Sequence, residues 1–380
     1  MLRSGLSAED ARTRIHDLLT TLFRNIPSGV GSKRKDLRLT TKELSRVLEK
    51  GVQWAKENGY ASSEDVAHTE AEGSIPGADP ARVSERALER GLAQLGTVGS
   101  GNHFVEVGFV DEIYDQKAAD LLGLYKDQMT VLVHTGSRGL GHQICDDYIK
   151  VMLQASRRYG IELPDPQLCC APVNSKEGEN YLAAMACAAN FAFVNRQVIT
   201  HWVRESFEQT FQMGPRDLRL DLIYDVCHNM AKMETHDVGG VKKKLCVHRK
   251  GATRAFPPGH PEVSTPYQPI GQPVLIPGDM GRCSYVLAGT EQGFRETFGS
   301  ACHGAGRVLS RHQAKKAAKG RSIVRELEDQ GILVKAASRA TLVEEIPDAY
   351  KDVNDVVNVV QGAGIARKVV RLKPIGVIKG

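Results

Sequence analysis

The sequence lacks three features that would place it in other protein classes. None of its eight cysteines forms a C-x-x-C pair, which excludes a small disulfide scaffold and a thioredoxin-like redox motif. No stretch approaches the roughly 20 apolar residues of a membrane span, and the N-terminus has no signal-like apolar run. The net charge of +5 is too small to indicate nucleic-acid binding by itself. These absences favour a cytoplasmic protein with reduced cysteines and no membrane partner.

The length and composition fit a globular enzyme. With 380 residues, 41% of them hydrophobic, the chain can bury a substantial core. The 37 glycines concentrate in loops at about 96–142 and 239–306 and show no fixed period. Glycine therefore marks loops in this sequence and does not indicate a fibrous repeat.

Apolar periodicity predicts helices before the first glycine-rich region. Ser7 and the acidic residues after it predict a helix start, and no strand is predicted ahead of that helix. Further helices are predicted over about 41–57 and 80–95. A long alanine-rich helix is predicted over about 178–211. Its polar interruptions are Asn190, Asn195 and Arg196. Of these, Asn190 and Arg196 either contact a ligand or satisfy internal hydrogen bonds.

Histidines border three predicted strands. His103 lies where a glycine loop runs into a strand-like segment, His134 follows a buried strand at 129–133, and His228 follows a strand at 221–227. Because α/β proteins place ligand groups in loops at strand ends, these histidines are candidates for one metal site. The spacing leaves metal binding open, since no local pattern such as H-E-x-x-H is present.

The segment 299–311, G-S-A-C-H-G-A-G-R-V-L-S-R, combines glycines with a histidine and two arginines. Its glycines let the backbone approach a ligand, and Arg307 and Arg311 can clamp phosphate oxygens. Neutral imidazole at His303 can attack phosphorus and hold a nucleotidyl group covalently. The alternative is a buried histidine in a glycine turn. A second loop, 249–260, presents three cations that suit an anionic polymer, Arg249, Lys250 and Arg254.

Seven motifs, in this order along the chain, resemble those of the RtcB family: L-G-T-V-G-S-G-N-H-F-V-E-V, V-H-T-G-S-R-G-L-G-H-Q, H-N-M-A-K, H-R-K-G-A-T-R-A-F-P-P-G, P-G-D-M-G-R-C-S-Y, C-H-G-A-G-R and the final I-K-G. RtcB proteins are GTP- and manganese-dependent tRNA-splicing ligases. The resemblance implies a mixed α/β (α+β) fold with central β-sheets flanked by helices and a cleft at the strand ends. It also implies one ligase domain, 1–380, with a helical part at 1–95 and a catalytic core at 96–380.

The resemblance implies an RNA ligase that joins a 3′-phosphate or 2′,3′-cyclic phosphate end to a 5′-hydroxyl end, as in tRNA halves or broken RNA. In the family a histidine takes GMP from GTP, the guanylate moves to the RNA 3′-phosphate, and the 5′-hydroxyl displaces GMP. His303 matches that nucleophile, and His103, His134 and His228 match the manganese ligands. The implied partners are GTP, RNA with those ends and an activating protein.

The resemblance also implies nucleotide and RNA contacts. The positions that match GTP-binding residues are Asn102, His103, Phe104, Val105, Glu106, His228, Asn229, Pro277, Gly278, Asp279, Met280, Ser284, His303, Gly304, Ala305, Gly306 and Lys379. At one of them, Asp279, some relatives have a serine. The arginines that we expect to contact RNA or phosphate are Arg138, Arg254, Arg307 and Arg311.

The sequence departs from the family at its N-terminus. Family members have a G-F-D-I-N-C-G-type segment whose aspartate and bridging cysteine complete a two-metal site, and nothing resembling it occurs here. We therefore expect weak metal affinity with one ion held well, impaired activity and some exposed apolar surface. Two alternatives are a non-catalytic RNA-binding remnant that needs neither His303 nor metal, and a metal-dependent phosphoesterase that needs no GTP.

Overall fold

The computed structural model describes residues 1–380 and confirms the predicted mixed α/β fold. The strands are β1 (Leu2–Ser7), β2 (Phe104–Ile113), β3 (Gln128–His134), β4 (Asp221–Leu222), β5 (Asn229–Val238), β6 (Val241–Lys250), β7 (Ala252–Arg254), β8 (Pro273–Ile276), β9 (Ser284–Gly289), β10 (Ser300–Cys302), β11 (Leu333–Ala336) and β12 (Ala366–Lys379). The α-helices are α1 (Ala8–Asn25), α2 (Thr41–Lys50), α3 (Val52–Glu57), α4 (Ser63–Ala67), α5 (Glu85–Gly91), α6 (Gln116–Leu121), α7 (Arg138–Arg158), α8 (Lys176–Phe211), α9 (Pro215–Leu218), α10 (Glu291–Glu296), α11 (Arg311–Ala317), α12 (Ile323–Glu328), α13 (Arg339–Leu342) and α14 (Val353–Gly362).

An eight-stranded sheet forms the centre of the molecule. Its strand order is β4-β1-β3-β2-β12-β9-β8, with β11 paired to β12, and only the β11–β12 pairing is parallel. Side chains of β2 alternate between two hydrophobic cores, because successive residues of a strand point to opposite faces. Phe104 joins one core, whereas Val105 and Val107 join the other. The sheet is thus buried on both faces.

A strand precedes the first helix, so the expectation that none does is wrong. Leu2 of β1 pairs with Val131 of β3 on one side and with Leu222 of β4 on the other. The pattern is easy to miss, because the six residues include two serines and a glycine, which have low strand propensity. Helix α1 then begins where the sequence predicts, with Ser7 and Asp10 forming a capping box.

Two predicted helices are interrupted. The predicted helix at 41–57 divides into α2 and α3 at Gly51, which has φ +56°. A side chain at Gly51 would place its Cβ 2.0 Å from the carbonyl oxygen of Gly73, so this close approach requires glycine. The predicted helix at 80–95 resolves into a 3₁₀ turn at Pro80–Arg82 followed by α5.

Helix α8 is the core of the helical layer. Its Phe191, Phe193 and Phe207 are fully buried. By length and composition α8 is apolar enough to cross a membrane, but 83% of its most apolar window is buried inside the molecule. Asn190 satisfies a buried backbone group, as one of the two interpretations predicts, since its side-chain oxygen accepts from the Ile75 amide at 2.6 Å.

Candidate active site

Three of the predicted histidines meet beyond the C-terminal end of β3. Nε2 of His134 lies 3.2 Å from Nε2 of His228 and 3.4 Å from Nε2 of His303. The rings of His228 and His303 are stacked, with centroids 3.8 Å apart. Segments that are distant in sequence therefore bring their imidazoles into one cluster, which we call the histidine cluster.

His103 lies beside the histidine cluster. Its ring centroid is 5.9 Å from that of His134, and its Nδ1 is buried without a hydrogen-bond partner. The imidazole nitrogens that lie within 4.8 Å of one another belong to His134, His228 and His303. The geometry thus groups His303 with two of the predicted metal ligands and places the third, His103, at the margin.

Different local structures present these side chains. His134 is the last residue of β3, and His303 follows β10, whose position is fixed by pairing with β7. The His303 amide also donates to the carbonyl of Gly251 at 3.1 Å. The strand predicted at 221–227 is shorter than expected, because β4 ends at Leu222. His228 therefore lies in an irregular segment that needs support from elsewhere.

Arg196 of α8 provides that support. Its Nε donates to Asp225 at 2.6 Å, and its Nη2 lies 3.7 Å from the sulfur of Cys227. Its Nη1 donates to the carbonyl of Thr135 at 3.2 Å. One buried guanidinium thus connects the residue after His134 to the segment that leads into His228.

The neighbouring Asn195 connects two further segments. Its Nδ2 donates to the carbonyls of Thr97 and Gly136 at 3.1 and 3.0 Å, and its Oδ1 accepts from the Thr97 amide at 3.2 Å. Thr97 belongs to the glycine loop that precedes His103, and Gly136 belongs to the loop that follows β3. Asn195 and Arg196 therefore both satisfy internal hydrogen bonds, which for Arg196 is one of the two predicted roles.

Burial keeps the four imidazoles neutral. It lowers the pKa of His103 to about 3 and that of His228 to about 4, and nearby arginines add to both effects. Burial and neighbouring imidazoles hold the pKa of His134 and His303 well below the usual range. Neutral imidazole is the form that binds a metal ion and the form that attacks phosphorus.

The nitrogen separations fit adjacent ligands of one metal ion. With metal–nitrogen bonds of about 2.1 Å, two neighbouring ligands lie about 3.0–3.4 Å apart. The distances from His134 to His228 and His303 are 3.2 and 3.4 Å. Because the grouped ligands are all imidazoles, the donor set suits divalent transition metals in general and does not by itself select manganese.

A cleft of about 1330 Å³, here called the first cleft, opens in front of His303. The predicted GTP-binding residues on its wall are Asn102, Phe104, Glu106, His228, Asn229, Pro277, Gly278, Asp279, Met280, His303, Gly304, Ala305, Gly306 and Lys379. The structure does not bring His103, Val105 or Ser284 to this wall, and His103 lies on the other side of the histidine cluster. Val105 enters the core on the opposite face of the sheet, and Ser284 lies behind Glu106, to which its hydroxyl donates at 3.3 Å.

A buried acid and a buried amine face the first cleft. Burial, with a contribution from nearby Asp279, raises the pKa of Glu106 to about 7. Burial lowers the pKa of Lys379 to about 8, although Glu345 and Glu106 oppose this shift. Both groups thus titrate near neutral pH, which allows each of them to donate or accept a hydrogen bond.

The whole chain, residues 1–380, matches the family described as tRNA-splicing ligase RtcB. The chain belongs to the RtcB family. It is 52% identical to the tRNA-splicing ligase RtcB of Methanococcus maripaludis and 53% identical to that of Archaeoglobus fulgidus, and each alignment covers 100% of this chain and 79% of the relative. It is also 54% identical to the tRNA-splicing ligase RtcB of Pyrococcus abyssi, in an alignment that covers 100% of this chain and 41% of that relative.

Three of the four arginines that we expect to contact RNA or phosphate border a cleft. Arg307 and Arg311 line the first cleft, where Arg307 donates to Glu345 at 3.1 Å and Arg311 remains 62% exposed. Arg138 lies on the other side of the histidine cluster. Arg254 is not brought to either cleft, because it is 4% exposed and paired with Glu262 at 2.7 Å.

The loop 249–260 does not present three exposed cations as predicted, because acidic partners bury its two arginines. Arg249 is also 4% exposed and forms two hydrogen bonds to the buried carboxylate of Glu234. Only Lys250 of the three cations is exposed, and it lines the first cleft. The acidic partners Glu234 and Glu262 lie outside the loop, so the loop alone gave no signal that its arginines are neutralised.

A second cleft of about 2060 Å³ reaches the histidine cluster from the opposite side. The cationic or imidazole side chains on its wall are Lys33, Arg38, Arg90, His103, Arg138, His142 and His228. His228 and Asn229 border both clefts. Of the residues predicted to bind GTP, metal or RNA, His103 and Arg138 therefore border the second cleft alone.

Sequence reasoning missed several residues of the first cleft. They are Gly251, Glu345, Tyr350 and Val377, together with Lys250, which was expected in a different role. Glu345 is 1% exposed and binds Arg307 and Tyr350. No local motif marks Glu345 or Tyr350, whereas Val377 lies two residues before Lys379 on β12, which period-two alternation would have placed on the same face.

Proposed function

We propose that the chain is an RNA ligase that joins RNA 3′-phosphate or 2′,3′-cyclic phosphate ends to 5′-hydroxyl ends through a GMP–His303 intermediate. The main support is the position of His303, which adjoins His134 and His228 and opens onto the first cleft. Its relatives are named tRNA-splicing ligase RtcB, which supports RNA as the substrate.

The first cleft suits a guanine nucleotide. Guanine presents O6 and N7 as acceptors and an exocyclic amine as a donor. Lys379 can donate to the acceptors, and the carboxyl group of Glu106 can accept from the amine, because both lie on the wall of the cleft. The Lys379 ammonium also lies 5.4 Å from the centre of the Phe104 ring, which helps to hold it in place.

The proposed reaction proceeds through His303 in balanced steps. A ring nitrogen of His303 forms a bond to the α-phosphorus of GTP while the bond to pyrophosphate breaks, and pyrophosphate leaves with the electron pair. A 2′,3′-cyclic end is first opened by water, whose oxygen bonds to phosphorus while the bond to the 2′-oxygen breaks and the 2′-oxygen takes a proton, which leaves a 3′-phosphate. An oxygen of the RNA 3′-phosphate then takes GMP from His303, which returns to its neutral form. The 5′-hydroxyl oxygen finally attacks the activated 3′-phosphorus, its proton is lost to solvent, and GMP leaves.

Residues of both clefts assist these steps. The chain segment Gly304–Gly306 lets phosphate oxygens approach the backbone, and Gly306 has φ +75°. Arg311 can offset phosphate charge on the first cleft. A divalent metal ion, manganese by family resemblance, would be held by His103, His134 and His228 and would neutralise phosphate oxygens.

Mass spectrometry tests the proposal directly. The purified chain is incubated with GTP and Mn²⁺, and tryptic peptides are searched for the mass of GMP on His303. We expect the adduct in the native chain, no adduct in His303→Asn, and normal adduct in His248→Asn, whose imidazole is exposed on β6. A native chain that forms no adduct on His303 would refute the proposed mechanism.

A ligation assay separates the alternatives. Labelled RNAs with 3′-phosphate and 5′-hydroxyl ends should be joined only when GTP and metal are present. Release of phosphate without joining, independent of GTP, would indicate a phosphoesterase. Salt-sensitive RNA binding that survives both chelation and His303→Ala, without any product, would indicate an RNA-binding remnant.

A further inference from the structure

We propose that Arg249 is a positioning residue for His303, held in place by Glu234 and acting through the turn and strand that precede the histidine. The expected effect of Arg249 on the rate of guanylylation rests on the proposed function of His303. Arg249 does not line either cleft, so it acts without touching the nucleotide or the RNA.

Arg249 forms a buried clamp with Glu234. Nη1 and Nη2 of Arg249 donate to the two carboxylate oxygens of Glu234 at 2.7 and 2.8 Å. The side chains are 3% and 1% exposed. His236 adds a third contact, because its Nε2 lies 3.0 Å from Oε2 of Glu234. Such a bidentate pair, removed from water, has a fixed geometry and is costly to break.

The clamp reaches the turn before β10. Nη2 of Arg249 donates to the carbonyl of Phe298 at 2.9 Å, and its Nε donates to the hydroxyl of Ser300 at 2.9 Å. Phe298 and Gly299 have φ of +50° and +59°, a conformation that is costly for phenylalanine. The structure therefore holds this turn with a dedicated donor at the strained residue.

The turn determines where His303 lies. β10 runs from Ser300 to Cys302 and pairs with all three residues of β7. The turn sets where this pairing begins, and His303 is the first residue after it. A shift of the turn along β10 would move the imidazole away from His134 and His228. A displacement of about 1 Å can reduce a rate about 100-fold even when all reacting groups are present.

The residues proposed to bind the guanine base lie on other elements. Glu106 and Lys379 lie on β2 and β12, which pair with each other in the central sheet, whereas β10 and β7 form a separate two-stranded sheet. Loss of the clamp should therefore lower the rate of guanylylation about 10- to 100-fold while KM for GTP stays within about twofold.

Three variants test this assignment. Arg249→Lys keeps the charge opposite Glu234 but cannot donate to the carboxylate, Phe298 and Ser300 together. Ser300→Ala removes only the acceptor of Nε. Arg204→Lys is the matched control, because Arg204 also binds a buried carboxylate, Asp65, at 2.8 and 2.7 Å and a backbone carbonyl at 2.9 Å. None of these hydrogen bonds involves the histidine cluster or the turn before β10.

Single-turnover guanylylation is measured at several GTP concentrations, together with thermal unfolding. We expect the maximal rate constant of guanylylation to fall in Arg249→Lys and, by a smaller factor, in Ser300→Ala. It should remain unchanged in Arg204→Lys even where the unfolding temperature of that variant drops. An equal maximal rate constant in Arg249→Lys and the native chain would overturn the assignment, as would an equal loss in Arg204→Lys.

A second readout does not require GTP. Diethyl pyrocarbonate acylates imidazole, and its rate at His303 can be followed by mass spectrometry of the corresponding peptide. We expect this rate to change at least threefold in Arg249→Lys, because the stacking on His228 is disturbed, and to stay unchanged in Arg204→Lys. If the native chain formed no GMP adduct, the proposed function would fail, while an unchanged acylation rate in Arg249→Lys would refute the positioning role separately.

Discussion

Replacing Arg196 by methionine should weaken metal binding as well as destabilise the fold. Arg196 and Asp225 form a pair with side chains that are 11% and 8% exposed, and the guanidinium also holds the carbonyl of Thr135. Arg196→Met leaves Asp225 buried without its partner, which typically costs about 3–5 kcal/mol. With an unfolding entropy of about 0.8 kcal/mol/K for a chain of this size, the melting temperature should fall by about 5 °C.

The effect on the site follows from what Arg196 connects. Without it, the segments that carry His134 and His228 lose their common anchor, and the 3.2 Å separation of their nitrogens is no longer enforced. Loss of such a support typically lowers metal affinity about 10- to 100-fold. Isothermal calorimetry with Mn²⁺ and with Co²⁺ measures the affinity, and differential scanning calorimetry measures the stability.

Arg204→Met is the control for stability alone. Arg204 lies on the same helix and pairs with Asp65, which is 1% exposed, so its loss should destabilise the chain by a similar amount. Metal affinity should not change. If the two variants lost equal metal affinity, the affinity of Arg196→Met would reflect general destabilisation, and the reasoning would be refuted. Adding Asp225→Asn to Arg196→Met should recover part of the lost stability, because no unpaired charge then remains.

Three further predictions concern pH and backbone. Burial raises the pKa of Glu70, but Lys232 and Arg254 outweigh it and lower that pKa to about 2. The resulting stabilisation of about 3 kcal/mol should be present above about pH 4.5 and should disappear as the pH falls towards 2. Urea titrations of Glu70→Gln should lack this component. The metal-free chain should also lose stability as pH falls from about 6.5 to 4, because the unfolded chain protonates histidines that the fold keeps neutral, and the same titrations with saturating metal should show a steeper loss as protons displace the ion. Gly299→Ala should destabilise the chain by more than about 1 kcal/mol and slow guanylylation, because Gly299 has φ +59° and an added Cβ would lie 2.4 Å from the Phe256 ring. A melting temperature equal to that of the native chain would contradict this prediction.

The sequence predicts the site best where local pattern and fold coincide. His134 follows an apolar strand, and in the structure it is the last residue of β3. The capping box at Ser7 and the long helix α8 likewise follow from short-range rules. Motif order along the chain indicates the family, and the family match extends over residues 1–380.

The remaining features depend on partners that are far away in sequence. The positive charges of Arg249 and Arg254 suggest an exposed basic loop, but acidic residues from other segments bury and neutralise both. The grouping of His303 with His134 and His228, with His103 at the margin, depends on how β10 and the irregular segment before β5 are anchored. Nothing in the local pattern specifies such anchors, because their hydrogen bonds join residues separated by 29, 61 and 51 positions.

The central position of β12 affects how the chain reaches its folded state. Arg371 of β12 donates to Asp111 of β2, a residue 260 positions earlier. At about 5–20 residues per second, a ribosome needs roughly 13–50 s between these two strands. Throughout that interval the edge of β2 that pairs with β12 has no neighbour, and the same holds for β9 once it has been made, so nascent chains should be prone to aggregation and should benefit from chaperones during synthesis.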